Sequence, residues 1–427
     1  MFSVHSLFDP KTGPGKAVLA SKSQIGGTVV IADGILEISD PASIMYTNGI
    51  LMHVTSTNTS PVFTCTAEEL PFGFLPGSSI LNRTVQFIDG GPGAWTITLN
   101  GNANAPLEDS DASFTTRPTV RNNATLRLTE SMTLQNTLVY GGNGAKFDIA
   151  DGKTVNLPGS KSQSDARSEC IFILNNTDPI GDGVARVAGT IHMGSGLYIY
   201  RGVYEVDADN ISSPGNNPVV FGDGEIATLR IRGGKQFLVP ELSGTNRNAI
   251  VETHTSGTTT LGVLNGADNE FAGTIRDGTG IIRLVKGGGG VLTLGGDNTY
   301  SGSTFINGGG IVLNGSVDGD IEVNSGLLAG TGMVRGNLTI NDGATMTTDV
   351  TPSITGDITV SGKINIDKIE SVSVGNHVLF QCDGTAMLDD ASVANAADDD
   401  HRMYSLRAGA GKVLLSISES ASIILVR

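Results

Sequence analysis

The residues best suited to acid–base chemistry in this chain are Asp178, in the run Asn176-Thr177-Asp178, with His192 and the pair Arg230 and Arg232 downstream. Cleaving a glycosidic bond takes two carboxyl groups flanking it, one to protonate the leaving oxygen and one to act as nucleophile or base. No adjacent Asp pair lies between Asp178 and Arg230, so the run reads as a turn followed by ordinary strand residues. Asp398-Asp399-Asp400-His401 offers oxygen donors of the kind a hard cation takes. Three consecutive carboxylates cannot converge on one ion without a supporting loop, and the cluster reads as a solvated acidic loop. The glycine run Gly287 to Gly290 lacks the Lys-Ser/Thr step and the helix that a phosphate loop requires. Cys65, Cys170 and Cys382 are far apart and odd in number, which indicates neither a disulfide framework nor a zinc site. The expectation is a chain with no catalytic residue, no cofactor and no metal ligand.

What is regular instead is structural. Asn307, Asn324 and Asn341 recur every 17 residues, each preceded by an aliphatic residue, Ile306, Val323 and Ile340, and followed within three residues by glycine, Gly310, Gly326 and Gly343. A fixed period of this size marks one turn of a solenoid, a unit that cannot bury its apolar face alone. Strands stacked this way lie about 4.8 Å apart, so residues one period apart sit above each other. The spacing therefore predicts an Asn ladder along the stack, an interior aliphatic column beside it, and a corner at each glycine where φ is positive. Asp357 to Gly362 repeats the pattern with Ser361 in the Asn position.

Composition agrees with a fold of many tight turns. Glycine supplies 58 of 427 residues while aromatics are 5% and charged residues 16%, and alternating runs such as TLRLTESMTL favour strands over helices, so the chain reads as all-β. The net charge of −16, with no run of Lys or Arg, argues against nucleic acid as a partner. No stretch approaches about 18 consecutive apolar residues, so no transmembrane helix is expected. The N-terminal run MFSVHSLFDPKTGPGK has Asp9, Pro10 and Pro14 where the apolar core of a secretory leader would lie, so no leader is visible.

Texture divides the chain into three. Residues 1–125 carry Trp95 and the Pro-bearing FGFLPGSS turn and read as a β-rich N-terminal region or cap; 126–367 has regular turn signals and reads as the solenoid; 368–427, with its acidic clusters, reads as a short C-terminal cap. The Ile-Ala-Asp-Gly shared by 31–34 and 149–152 places Asp33 and Asp151 at comparable corners.

The stretch Lys286 to Gly315, KGGGGVLTLGGDNTYSGSTFINGGGIVLNG, resembles the autotransporter-associated β-strand repeat of bacterial passenger regions, and the resemblance extends over residues 265–348. It implies a right-handed parallel β-helix on the cell surface or outside the cell, non-catalytic; what such a surface binds is not written in the repeat, but exposed Thr, Ser and Asn rows would suit weak contact with glycans or surface proteins, and self-association into oligomers or filaments is open. Two alternatives use the same fold. Asn176-Thr177-Asp178, His192 and Arg230-Ile231-Arg232 follow the order of motifs in polygalacturonases, a polysaccharide lyase or glycoside hydrolase reading, although His192 lies in Ile-His-Met rather than between glycines. A phage-type spike is the other.

Overall fold

The computed structural model describes residues 146–157, 171–187, 196–207, 218–347, 351–395 and 402–419, and before these Leu128, Ser131 and the backbone of the short strands given below. His192, Asp33, Trp95, the FGFLPGSS turn and the Asp398–His401 cluster lie outside the described residues. Every described element is a β-strand except a single 3-10 turn at Ile369–Ser371. The chain forms two compact units, Met1–Arg230 and Ile231–Arg427.

In the first unit the strands stack in parallel, each on the strand one coil earlier. One face runs through Phe2–His5, Ser23–Ile31, Ile50–Val54, Val85–Asp89, Thr119–Arg121 and Val139–Gly141. A second runs from Lys16–Leu19 through Ile35–Ile38, Val62–Cys65, Thr96–Leu99, Thr125–Leu128, Lys146–Ile149 and Ile171–Asn175 to Gly196–Val206. The parallel register thus continues through residue 125, where the sequence texture changes. Thr154–Leu157 and Val184–Val187 alternate half-buried and buried positions, the period of two that a strand with one face on a core must show. The core side of these strands carries Val155, Leu157, Ala185 and Val187.

The second unit repeats the plan with three strands per coil. Gln236–Val239, Thr258–Val263, Ile281–Lys286, Thr304–Leu313, Ile321–Ala329, Leu338–Ile340, Ile358–Ile366 and Ala386–Val393 pair in parallel as successive rungs. A further face stacks Asp297–Asn298, Ser316–Val317, Met333–Val334, Ser353–Ile354 and Gly375–Cys382. Identical registers bring aliphatic side chains into continuous interior columns, one of which is Ile321, Leu338 and Ile358 and another Val317, Val334 and Ile354, all essentially inaccessible to water. The architecture is that of a parallel β-solenoid. Parallel stacking ends where Lys412–Glu419 pairs antiparallel with both Gly375–Cys382 and Arg402–Gly409.

Candidate functional site: the polar ladders of the coil stack

The three asparagines come together on the outer side of adjacent rungs. Asn324 donates its Nδ2 to Asn307 Oδ1 at 2.9 Å, and Asn341 donates to Asn324 Oδ1 at 2.8 Å and to Glu322 Oε1 at 3.0 Å. Directly inside, Ile306 pairs with Val323 and Val323 with Ile340, and all three are buried. Gly326 and Gly343 take positive φ, 93° and 82°. Gly310 does not, and here the sequence expectation is corrected. The left-handed residue is Gly309, φ 60°, because the strand Thr304–Leu313 bulges between Asn307 and Gly310. Gly310 returns to the ladder opposite Leu327, and a Cβ there would lie 2.8 Å from the Leu327 carbonyl oxygen. The corner column is therefore Gly309, Gly326 and Gly343, each two residues after its Asn.

A second ladder occupies another corner. Asp320 Oδ1 accepts from the Asn337 backbone N–H at 2.7 Å, Asn337 Oδ1 from Asp357 N–H at 2.9 Å, and Asp357 Oδ1 from Thr385 N–H at 2.7 Å and the Thr385 hydroxyl at 2.6 Å. Each of these residues follows a glycine, and the reason is proximity. A Cβ on Gly319, Gly336, Gly356 or Gly384 would come within 2.3–2.7 Å of the carbonyl oxygen of the glycine one coil below. The two Thr385 bonds hold the Asp357 carboxyl below its ordinary value.

Four polar residues of the Lys286–Gly315 stretch turn inward. Asn298 is fully buried and binds three coils at once: Oδ1 accepts from Ile275 N–H at 2.9 Å, while Nδ2 donates to Gly296 O at 2.9 Å and Ser316 O at 3.1 Å. Tyr300 and Thr304, both fully buried, share a hydroxyl–hydroxyl hydrogen bond of 2.5 Å. Burial pushes the Tyr300 phenol above its ordinary value, and the Thr304 bond opposes that shift. Lys286 stands in the interior column between Val263 and Ile306, fully buried, its ammonium donating to Gly287 O and, at 3.3 Å, to Gly308 O on the next coil. Desolvation lowers its pKa to about 8, opposed by the charge of Asp268. Sequence reasoning missed these four residues, having read the glycine-rich stretch as corners.

Asp178 belongs to a different arrangement. Its carboxylate accepts from Asp151 N–H at 3.2 Å, Asp151 accepts from Ile180, Gly181 and Asp182 N–H, and Asp182 accepts from Gly152 N–H at 2.6 Å. Beside them the buried Asp148 accepts from the Thr177 N–H and hydroxyl, and the buried Asn176 joins Ile149 N–H to Gly183 O. These side chains clamp two successive corners to each other. Arg230, in the strand Ala227–Ile231, and Arg232, just past its end, are half-buried. Cys382 is a buried free thiol, and Cys170 and the Cys65 side chain lie outside the described residues. Among the described residues, no group of three or more His, Cys, Asp or Glu side chains is placed to hold a metal, and no helix is long and apolar enough to cross a membrane.

Residues 284–313 match the family model described as passenger-associated-transport-repeat, as the resemblance implied. The match takes in Lys286, Asn298, Tyr300 and Thr304, so these four inward-facing residues belong to the repeat itself. No curated protein and no solved structure matches the chain.

Proposed function

We propose that this chain is a non-catalytic surface module of an exported bacterial protein, an adhesin-like β-solenoid whose outer rows make weak, repeated contacts with glycans or proteins of another surface. The observation that carries the reading is where the polar chemistry is spent. Inside the repeat, Lys286 and Asn298 bind neighbouring coils while Tyr300 and Thr304 bind each other, and elsewhere the carboxylates of Asp148, Asp151, Asp182, Asp320 and Asp357 accept backbone N–H groups one coil away. Side chains so used hold the stack and leave repetition as the functional property: Thr339 and Thr359 align along one outer row, and Asn307, Asn324 and Asn341 along the next. Contacts that are individually weak gain avidity when they recur along a rigid array.

The test is binding of the purified chain to immobilised acidic and neutral glycans and to matrix proteins, run beside an assay for reducing-end or unsaturated-sugar release. Saturable, multivalent retention with no sugar release supports the module. Turnover of a polysaccharide that is lost in Asp178→Asn overturns it in favour of a hydrolase or lyase.

A further inference from the structure

Among the described residues of the first unit three large apolar side chains stand exposed, Ile180 at 67%, Ile226 at 56% and Tyr200 at 36%, and one corner of the stack brings them together. Arg201 builds that corner. Its Nη2 donates to Pro179 O at 2.5 Å and its Nε lies 3.6 Å from Glu225 Oε2, so a single side chain fastens the loop of the coil before and the loop of the coil after. Ile180 follows Pro179, and Ile226 follows Glu225 and accepts the Gly202 N–H through its carbonyl. The two isoleucines are thus carried at the points where their loops are tied to Arg201.

Tyr200 is placed by a bulge. The ladder pairs Leu174 with Ile199 and then Asn175 with Arg201, which leaves Tyr200 as the extra residue. A bulge re-aims a side chain out of the alternation that the strand would otherwise impose. The ring rests against bare backbone, since a Cβ on Gly222 would fall 1.6 Å from Tyr200 Cδ1. Aliphatic side chains that serve the stack are buried in its interior columns, as Ile199 and Leu174 are. Apolar surface gathered outside those columns marks a contact site.

Charge selects the partner. The loops that meet here, 178–182, 199–202 and 221–226, carry four carboxylates, Asp178, Asp182, Asp223 and Glu225, against one cation, Arg201. Asp182, Asp223 and Glu225 are exposed, whereas the Arg201 side chain is largely buried among the loops it holds. The rim of the patch is therefore acidic. A second copy of the same corner would set like charges against each other, and so would the anionic face of a bilayer. A sugar stacked on the ring would need outward hydrogen-bonding groups beside it, and the side chains carried there are isoleucines.

We propose that the corner formed by Ile180, Tyr200 and Ile226 docks a cationic protein segment, whose aliphatic or aromatic side chains cover Tyr200 while its Lys or Arg side chains meet the acidic rim. The proposal rests on the reading of the chain as a module that contacts another surface, and it names the class of partner at one place on that module.

The probe is a dye-labelled peptide that alternates lysine with leucine, titrated with the full chain and followed by fluorescence anisotropy. Peptides of equal length with serine in place of leucine, and with glutamate in place of lysine, run beside it. Only the lysine–leucine peptide should bind saturably. Tyr200→Ser should weaken it roughly tenfold or more, the loss expected of an aromatic anchor. Ile226→Ser, which removes an exposed side chain and leaves the fold intact, should weaken it several-fold at an unchanged denaturation midpoint. Absence of saturable binding, equal binding of the lysine–serine peptide, or unchanged affinity in both variants overturns the proposal. Retention of the chain on glycans or matrix proteins that survives both substitutions also overturns it while leaving the surface-module reading in place. Self-association of the parent chain that Tyr200→Ser abolishes would assign the corner to a second copy instead.

Discussion

The coils from Lys286 to Ile340 and those from Asp357 onward use one architecture and are held in opposite ways. In the first group the coil length is a constant 17 residues from Asn307 to Asn341, and the polar bonds between rungs include a set sealed in the interior. Toward the second the corner-to-corner step lengthens from 17 to 20 and then 28 residues, the corner bonds there sit on the surface, and the stack gives way to antiparallel strands. A buried hydrogen bond stabilises modestly while made and costs heavily when one partner is removed, whereas an exposed one is replaced by water. The repeat coils should therefore be intolerant of side-chain loss, and the terminal coils sensitive to solvent conditions.

The largest effect should follow from Asn298→Ala. It leaves the buried Ile275 N–H without its acceptor and takes the amide donor from Ser316 O and from Gly296 O, the latter keeping the Ser316 N–H, a cost of about 3 kcal/mol. The denaturation midpoint of the unit should fall, with early loss of hydrogen-exchange protection at Ile275. An unchanged midpoint would show that the asparagine is not the latch between the three coils.

Next in size is the pH response of Lys286. Its folded pKa of about 8 lies below that of an unfolded lysine. Between pH 8 and about 10 the unfolded chain holds a proton that the folded chain has released, so stability should rise with pH across that window, by roughly 2–3 kcal/mol in total. Tyr300 and Tyr204, whose buried phenols are raised above the ordinary value, reverse the trend above about pH 10, where only the unfolded chain ionises them. Lys286→Met should flatten the rise between pH 8 and 10. A rise that persists in the variant would place its origin elsewhere.

The sequence made the repeat coils legible where their period is strict. Asn307, Asn324 and Asn341 could be stacked from numbers alone because both intervening coils have the same length. The corner glycine was misplaced at Gly310 because Gly308, Gly309 and Gly310 are indistinguishable in composition, and only the bulge decides which takes positive φ. The inward turn of Lys286 was illegible for a related reason. Whether a side chain faces in or out depends on strand phase, which the step of 20 residues from Lys286 to Ile306 does not share with the 17-residue coils after it. A lysine in an aliphatic column is also what hydrophobic patterning is least able to anticipate, since burial of a charge is expensive. One signal was present and unread: Gly-Asp-Ile at 319–321, Gly-Asn-Leu at 336–338 and Gly-Asp-Ile at 356–358 spell out the second ladder.

Asn324→Ala sharpens the comparison from the exposed side of the repeat coils. The variant removes both amide–amide bonds of the outer ladder, yet their partners face water, so the loss should be about 1 kcal/mol, well below that of Asn298→Ala. Binding to any glycan or protein surface should survive. A melting curve identical to that of the parent chain would argue that the ladder adds nothing to the stack, and one lowered as far as by Asn298→Ala would erase the distinction between inner and outer bonds.

The smallest effect belongs to the terminal coil and should appear only in acid. Asp357 is held below the ordinary carboxyl value by the Thr385 hydroxyl and backbone N–H. A depressed pKa contributes stability that is present above the unfolded value and is lost as pH falls through the folded one, so the contribution should fade below about pH 4. Because the carboxylate is exposed, the change should be local, a few-fold loss of hydrogen-exchange protection at Thr385 while Ile275, tied by an amide that does not titrate, keeps its protection relative to the rest of its coil. Asp357→Asn retains an oxygen acceptor but no titrating group, and should remove the acid dependence at Thr385. Parallel acid loss at Thr385 and Ile275 would mean that the two groups of coils open together, and that where the polar bonds lie, inside or at the corner, does not set how each part of the stack responds to solvent.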